Sequence, residues 1–263
     1  MGAETGVEPR VESKSSRPVL YVFAISHYCE KARWALDFLG IDYELRHLAP
    51  GAHMQVAKEL GAASSSLPLV VSGERVVSGS GAIVDWAEST VADPSRRLSP
   101  DPGLEEECAA LEQRLDDVAG VHVRRSYYSE AIVEHPESVL PMFGRDLEAS
   151  QRQSLEESWG VVCQLMTAAM DLGPQQEQES RRIVEGELDW LDGLLSDGRR
   201  FLLGVRFSRA DLTVASLLAP VALPKEHPTY GRLEVPPRAR ADLTRWANRP
   251  IVAWVREMYR EHR

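Results

Sequence analysis

Only three of the 263 residues are cysteine, at positions 29, 108 and 163. Three scattered thiols cannot build a disulfide framework or a zinc cluster, and the odd count fits a reducing compartment, so the expected location is cytoplasmic. Long apolar runs are missing as well. The longest, Thr213 to Pro224, is interrupted by Pro220 and falls short of the ~20 residues a bilayer-spanning helix needs, which excludes such a helix and leaves no membrane partner. Positive charge is scarce: 30 Lys and Arg stand against 40 Asp and Glu, a net charge of -10, so the electrostatic footprint of a nucleic-acid binder is absent. The seven histidines contain no H-x-x-x-H pair, and His27, His47 and His53 have no partner at ligand spacing, so no metal site is expected. Residues 1–17 carry mixed charge with no apolar stretch, unlike a signal peptide or transit sequence, and read as a disordered tail.

What the chain does contain is a soluble globular composition, 43% hydrophobic and 27% charged, with length for one large or two ordinary domains. Residues 18–90 alternate strand and helix patterns. Pro18 to Ile25 is rich in β-branched and aromatic residues; Ser26 follows as a turn, and Cys29 to Leu39 has helical spacing stopped by Gly40. Ile41 to His47 alternates as a half-buried strand does, and His53 to Leu60 reads as a short helix. Leu67 to Val71 and Arg75 to Val77 flank the turn Ser72-Gly73-Glu74 as a hairpin, after which Ser80 begins another helix. The expected order is β-α-β-α-β-β-α.

Residues 91–103, with Pro94, Pro100 and Pro102, have the composition of a linker. Residues 104–263 are helical in pattern, with segments at Leu104 to Tyr128, Leu155 to Met170, Ile183 to Leu195, Leu212 to Leu223 and Ile251 to Tyr259. Phe207-Ser208-Arg-Ala-Asp211-Leu212 has the form of a capping box with a hydrophobic staple. From Arg238 onward, seven Arg stand against three acidic residues, a pattern read as the solvated faces of terminal helices.

Ser26-His-Tyr-Cys-Glu-Lys-Ala-Arg-Trp-Ala-Leu36 opening the first helix, Leu67-Pro68 before the third strand, Gly79-Ser80-Gly-Ala-Ile83 opening the third helix and the all-α second half together resemble the cytosolic glutathione S-transferases. The resemblance implies a thioredoxin-like α/β N-terminal domain followed by an all-α helical-bundle C-terminal domain. It further implies a homodimer, detoxification chemistry, glutathione as co-substrate, no metal, and a small-molecule thiol and an apolar electrophile as partners. By the same resemblance Ser26 is the catalytic residue. A cis Leu67-Pro68 bond would turn the Leu67 backbone toward the tripeptide, and Ser66, Gly79 and Ser80 would complete the glutathione site. The family commonly places an acidic residue where Gly79 stands and a strong donor where Ser66 stands. Tyr28, Tyr127 and Tyr128 are candidates for the electrophile pocket, with core packing the competing role for the Tyr127-Tyr128 pair.

The physical case for Ser26 rests on its place between a strand and a helix, where free N–H groups and the helix dipole favour an anion. Lowering a thiol pKa from ~8.5 to ~6.5 requires ~2.7 kcal/mol. A hydroxyl bond to the thiolate supplies ~1.5–3 kcal/mol and the helix end ~0.3–1, so the two together suffice. An N-cap without catalytic duty is the alternative for Ser26. Two alternatives hold for the whole chain: a catalytically silent binding protein on the same fold, and a thiol-disulfide oxidoreductase using Cys29, which occupies the second position of a C-x-x-C spacing whose first is Ser26.

Overall fold

The computed structural model describes residues 17–263 apart from 92, 94, 231 and 232. The tail at 1–16, and linker positions 92 and 94, lie outside the described residues. Strands β1 (Val19–Val22), β2 (Glu44–His47), β3 (Leu69–Ser72) and β4 (Arg75–Ser78) form one sheet in the order β2-β1-β3-β4. β1 and β2 are parallel, joined through helix α1 (His27–Leu39); β3 pairs antiparallel with β1 and, through the Gly73 turn, with β4. Helices α2 (Ala52–Glu59) and α3 (Ser80–Thr90) complete the thioredoxin-like domain. Leu20, Val70 and Val77 stand side by side across the three strands and are all buried, each contributing on the order of 1.5–3 kcal/mol through burial.

The second domain is all-helical. It comprises α4 (Glu105–Arg114), a π-helical segment Leu115–Ala119, α5 (Gly120–Ala131), α6 (Pro136–Phe143), α7 (Ala149–Met170), α8 (Pro174–Leu194), α9 (Arg209–Leu217), α10 (Ala219–Ala222), α11 (Pro237–Trp246) and α12 (Pro250–His262). The expected helix from Leu104 to Tyr128 is continuous but carries the π segment in its middle, where the Gly120 N–H donates to the Leu115 carbonyl five residues back. α9 starts at the expected capping box, with Asp211 accepting from both the Ser208 N–H and hydroxyl at 2.9 Å. Phe207 packs against Trp34, Phe38 and His262.

Two helices have no counterpart in the sequence reading. α6 contains Pro141, a helix-breaking signal, and α11 is poor in apolar residues because ion pairs rather than burial hold it. Arg238 reaches Glu134 at 2.7 Å and Glu177 at 2.8 Å. For Arg238, Arg249 and Arg263 this corrects the reading of the C-terminal arginines as solvated faces, whereas Arg240, Arg245, Arg256 and Arg260 are exposed as that reading expects. Arg263 sits on buried Glu30 at 2.6 Å and on Asp37 at 2.7 Å, and Arg249 pairs with Asp192 and Asp189. The acidic excess of the chain supplies their partners.

The two domains meet along α1. Trp34 is fully buried and donates its indole N–H to the His262 carbonyl at 2.8 Å. Lys31, 0% exposed, lies 2.9 Å from Glu112 and 2.8 Å from Asp116, and Arg209 adds a second cation on Glu112 at 2.9 Å. Burial alone raises the Glu112 pKa, but Lys31 and Arg209 outweigh it and hold the carboxylate below its ordinary value.

Candidate active site

Ser26 is the N-cap of α1, in extended backbone conformation, and its hydroxyl oxygen accepts the Cys29 N–H at 3.3 Å. That bond uses a lone pair and leaves the hydroxyl proton free to be donated. The loop that delivers Ser26 is held from the second domain: Thr229 donates its hydroxyl to the Ala24 carbonyl at 2.8 Å and Tyr230 donates its phenol to the Ile25 carbonyl at 3.1 Å. Ser26 is half-buried at the edge of a cavity of about 400 Å³ between the two domains.

Of the residues singled out in the sequence, Ser26, Tyr28, Ser66, Leu67, Tyr127 and Tyr128 line this cavity. Pro68, Gly79 and Ser80 do not, although Pro68 and Gly79 are joined by a Gly79 N–H bond to the Pro68 carbonyl at 3.1 Å. The Leu67-Pro68 bond is cis, and among the described residues the Leu67 N–H has no hydrogen-bond partner. Ser80 is buried at the start of α3, and Gly79 before it has φ 93° and ψ 145°. A side chain at that backbone conformation is strained even though the space around it is open. An Asp introduced at Gly79 would therefore carry a backbone cost and would not simply add a charge.

The second-domain wall comes from α5, with Tyr127 and Tyr128 beside Val123 and Arg124, and from α6 and α7, with Phe143, Val162, Met166 and Met170. Tyr128 is 6% exposed and packs against Phe143, so it serves the core and the cavity together. Tyr28 donates its phenol to the Asp116 carbonyl in the π segment at 2.6 Å. It can do so because residue 120 is glycine: a Cβ there would come within 2.6 Å of the Tyr28 hydroxyl. Burial pushes the Tyr28 pKa upward, so this phenol remains a donor.

Sequence reasoning missed two residues of the cavity. His27, next to Ser26, is 4% exposed and has a buried Nε2 without a partner among the described residues. Burial first, and then the Arg124 charge, lower its pKa to about 3, so it is a neutral acceptor and a poor proton acceptor for a thiol. Arg124, on α5, is the other; its position one turn before Tyr127 and Tyr128 was the available signal.

Cys29 is 3% exposed, accepts the Phe23 N–H at 3.4 Å, and burial pushes its thiol up to about 12. A thiol in that environment does not exchange readily with disulfides, which removes the basis of the oxidoreductase reading. Among the described residues no group of His, Cys, Asp and Glu could hold a metal ion, and no helix is long and apolar enough to cross a membrane.

Residues 20–95 match the family described as Glutathione S-transferase, N-terminal domain. No curated protein matches the chain by sequence. Among solved structures, glutathione transferase GSTFuA3 from Phanerochaete chrysosporium superposes with a TM-score of 0.63 at 18% identity, covering 95% of this chain and 98% of that one. A glutathione S-transferase of Ceriporiopsis subvermispora in complex with glutathione gives 0.60 at 17% identity, with coverages of 94% and 98%. The β-etherase LigF from Sphingobium sp. strain SYK-6 gives 0.59 at 17% identity, with coverages of 91% and 98%. The sheet order, the cis proline, the helical second domain and these matches converge: residues 20–95 match the N-terminal domain of the glutathione S-transferases, and the chain has the two-domain fold of the solved glutathione transferases.

Proposed function

We propose that the protein is a glutathione transferase-like enzyme in which Ser26 holds a bound thiol as thiolate for attack on a small, largely apolar electrophile. The observation that carries this reading is the Ser26 hydroxyl itself, fixed at the start of α1 at the edge of the interdomain cavity with its proton free. The thiolate would accept that proton's hydrogen bond and lie at the positive end of the α1 dipole. Ser66 and the unpartnered Leu67 N–H offer the polar groups for a peptide-like thiol, and glutathione is the thiol named with one of the similar structures. Gly79 and Ser80 would act at the far end of that site, with Pro68 fixing the Leu67 backbone. The aromatic wall would receive the electrophile. Homodimer assembly, a cytoplasmic location and a role in detoxification belong to the same proposal.

The catalytically silent reading draws on the missing charges at Gly79 and Ser66. Conjugation of glutathione to an activated aryl halide decides between the two. For Ser26→Ala we expect kcat/KM and the thiolate absorbance of the glutathione complex to fall together by about ten- to hundred-fold, the loss of one hydrogen bond to a charged acceptor. Unchanged turnover in Ser26→Ala removes Ser26 from the mechanism, and no turnover in wild type with retained glutathione binding establishes the silent protein.

A further inference from the structure

The cavity lining contains no Asp or Glu among the described residues, and its one formal cation is Arg124. The guanidinium carbon of Arg124 lies 5.9 Å from the centre of the Tyr28 ring. Its Nε is buried with no hydrogen-bond partner, and no carboxylate pairs with it among the described residues. Its neighbour on α5, Arg125, is on Asp171 and Glu179, while Arg209 is engaged by Asp85, Glu88 and Glu112 and Arg263 by Glu30 and Asp37. Arg33 also has a buried Nε without a partner, but among the described residues Arg124 alone of the arginines lines the cavity, in a chain with an acidic excess of ten. Removing a cation from water without a partner is costly, and an anion arriving with a ligand offsets that cost.

Three anions could meet Arg124: a carboxylate of the thiol, the thiolate, or an anionic group on the acceptor. The peptide-binding groups Ser66 and Leu67 belong to the thioredoxin-like domain, whereas Arg124 stands on α5 between Val123 and the Tyr127-Tyr128 pair that forms the acceptor wall. Resting on the transferase reading above, we infer that the enzyme's acceptors carry a carboxylate on an otherwise apolar, ring-sized body, and that Arg124 pairs with it. The apolar electrophile of the sequence reading thus becomes an amphipathic one.

The test uses 4-chloro-3,5-dinitrobenzoate and its methyl ester. In both, the glutathione sulfur forms a bond to the ring carbon that bears chlorine, chloride leaves with the electron pair of the broken bond, and the thiol proton passes to solvent. Wild type is expected to favour the acid, and the acid-to-ester ratio of kcat/KM should fall by about ten-fold in R124Q and further in R124E, with R124K recovering part of it. A ratio indifferent to these substitutions overturns the inference. So does an R124Q effect that appears instead as weaker glutathione binding by calorimetry, which assigns the arginine to the thiol's carboxylate, or as a raised pKa of bound glutathione, which assigns it to the thiolate. The unreactive pair 3,5-dinitrobenzoate and its methyl ester, titrated calorimetrically, separates the two readings. Preferential, Arg124-dependent binding of the acid without turnover keeps this inference while the transferase proposal fails, and equal binding of both overturns it whatever the turnover.

Discussion

The thioredoxin-like wall of the cleft presents Ser26, Ser66 and Leu67, groups whose placement follows from backbone geometry: a helix start, a loop and a cis peptide bond. The helical wall presents Val123, Arg124, Tyr127 and Tyr128, whose placement follows from the rotational phase of a single helix. The first kind of wall suits a constant substrate, because main-chain groups keep their chemistry whatever side chains surround them. The second suits a variable one, since a substitution on one face of α5 changes the surface offered without disturbing the sheet. Holding the walls together is α1, which places Ser26 at its tip and Lys31 deep in the domain contact.

The harshest way to break this comparison is to loosen that contact. Lys31→Met leaves the partly buried carboxylate of Asp116 without its cation and Glu112 with only Arg209. Uncompensated buried charge is costly, so urea or guanidinium denaturation should show a loss of about 3–5 kcal/mol. A loss below about 1 kcal/mol would mean that the triad behaves as a solvated surface cluster.

A second way uses the buried histidines, one on each side of the domain contact. Burial lowers the His27 pKa to about 3 and the His227 pKa to about 2, well under the ~6.5 of an unfolded chain. Above pH 6.5 both imidazoles are neutral folded or unfolded, and stability is independent of them. As pH falls below 6.5 the unfolded chain takes up protons that the folded one refuses, so stability is lost progressively toward pH 3. Each residue accounts for about 1.4 kcal/mol per pH unit over that window. Comparing denaturation at pH 7 and pH 5, His27→Gln and His227→Gln should each remove one such contribution from the difference. If neither substitution alters the pH 7 to pH 5 difference, the imidazoles are not excluded from protonation.

The smallest expected effect sharpens the polar wall. Gly79→Ala should cost about 1 kcal/mol or slightly more in thermal denaturation, through its φ of 93° alone, since nothing crowds the added Cβ. Gly79→Asp should share that cost, and any tighter glutathione binding must then be measured against it. A neutral Gly79→Ala would show that the loop relaxes out of this conformation.

How much of this could be read in the sequence follows from which forces are local. The strand-helix alternation, the Ser26 cap and the Ser208-Asp211 capping box are governed by neighbours a few residues apart, and all three appear where expected. Lys31 resembles a solvent-facing lysine in sequence, and only the arrival of Glu112 and Asp116 some 80 residues later makes it a buried one. Arg124 is hidden for the converse reason, because what distinguishes it is the lack of a partner in three dimensions. α11 escapes because arginine-carboxylate pairs across elements, and not an apolar stripe, hold it in place. The cis bond at Leu67-Pro68 was legible only through resemblance, since most bonds preceding proline are trans.

The π segment at Leu115–Ala119 acts on the cleft as a phase shifter. Each residue advances an α-helix by about 100°, so one residue deleted between 115 and 119 would swing every later side chain of α5 by that angle. Val123, Arg124, Tyr127 and Tyr128 would leave the cleft as a group, and their neighbours one position along would take their places. The segment's sequence, Leu-Asp-Asp-Val-Ala, contains no side chain that lines the cavity. Its residue count nevertheless decides which face of α5 lines the cleft, so a change in length there alters the cleft's surface as thoroughly as replacing the lining residues one by one.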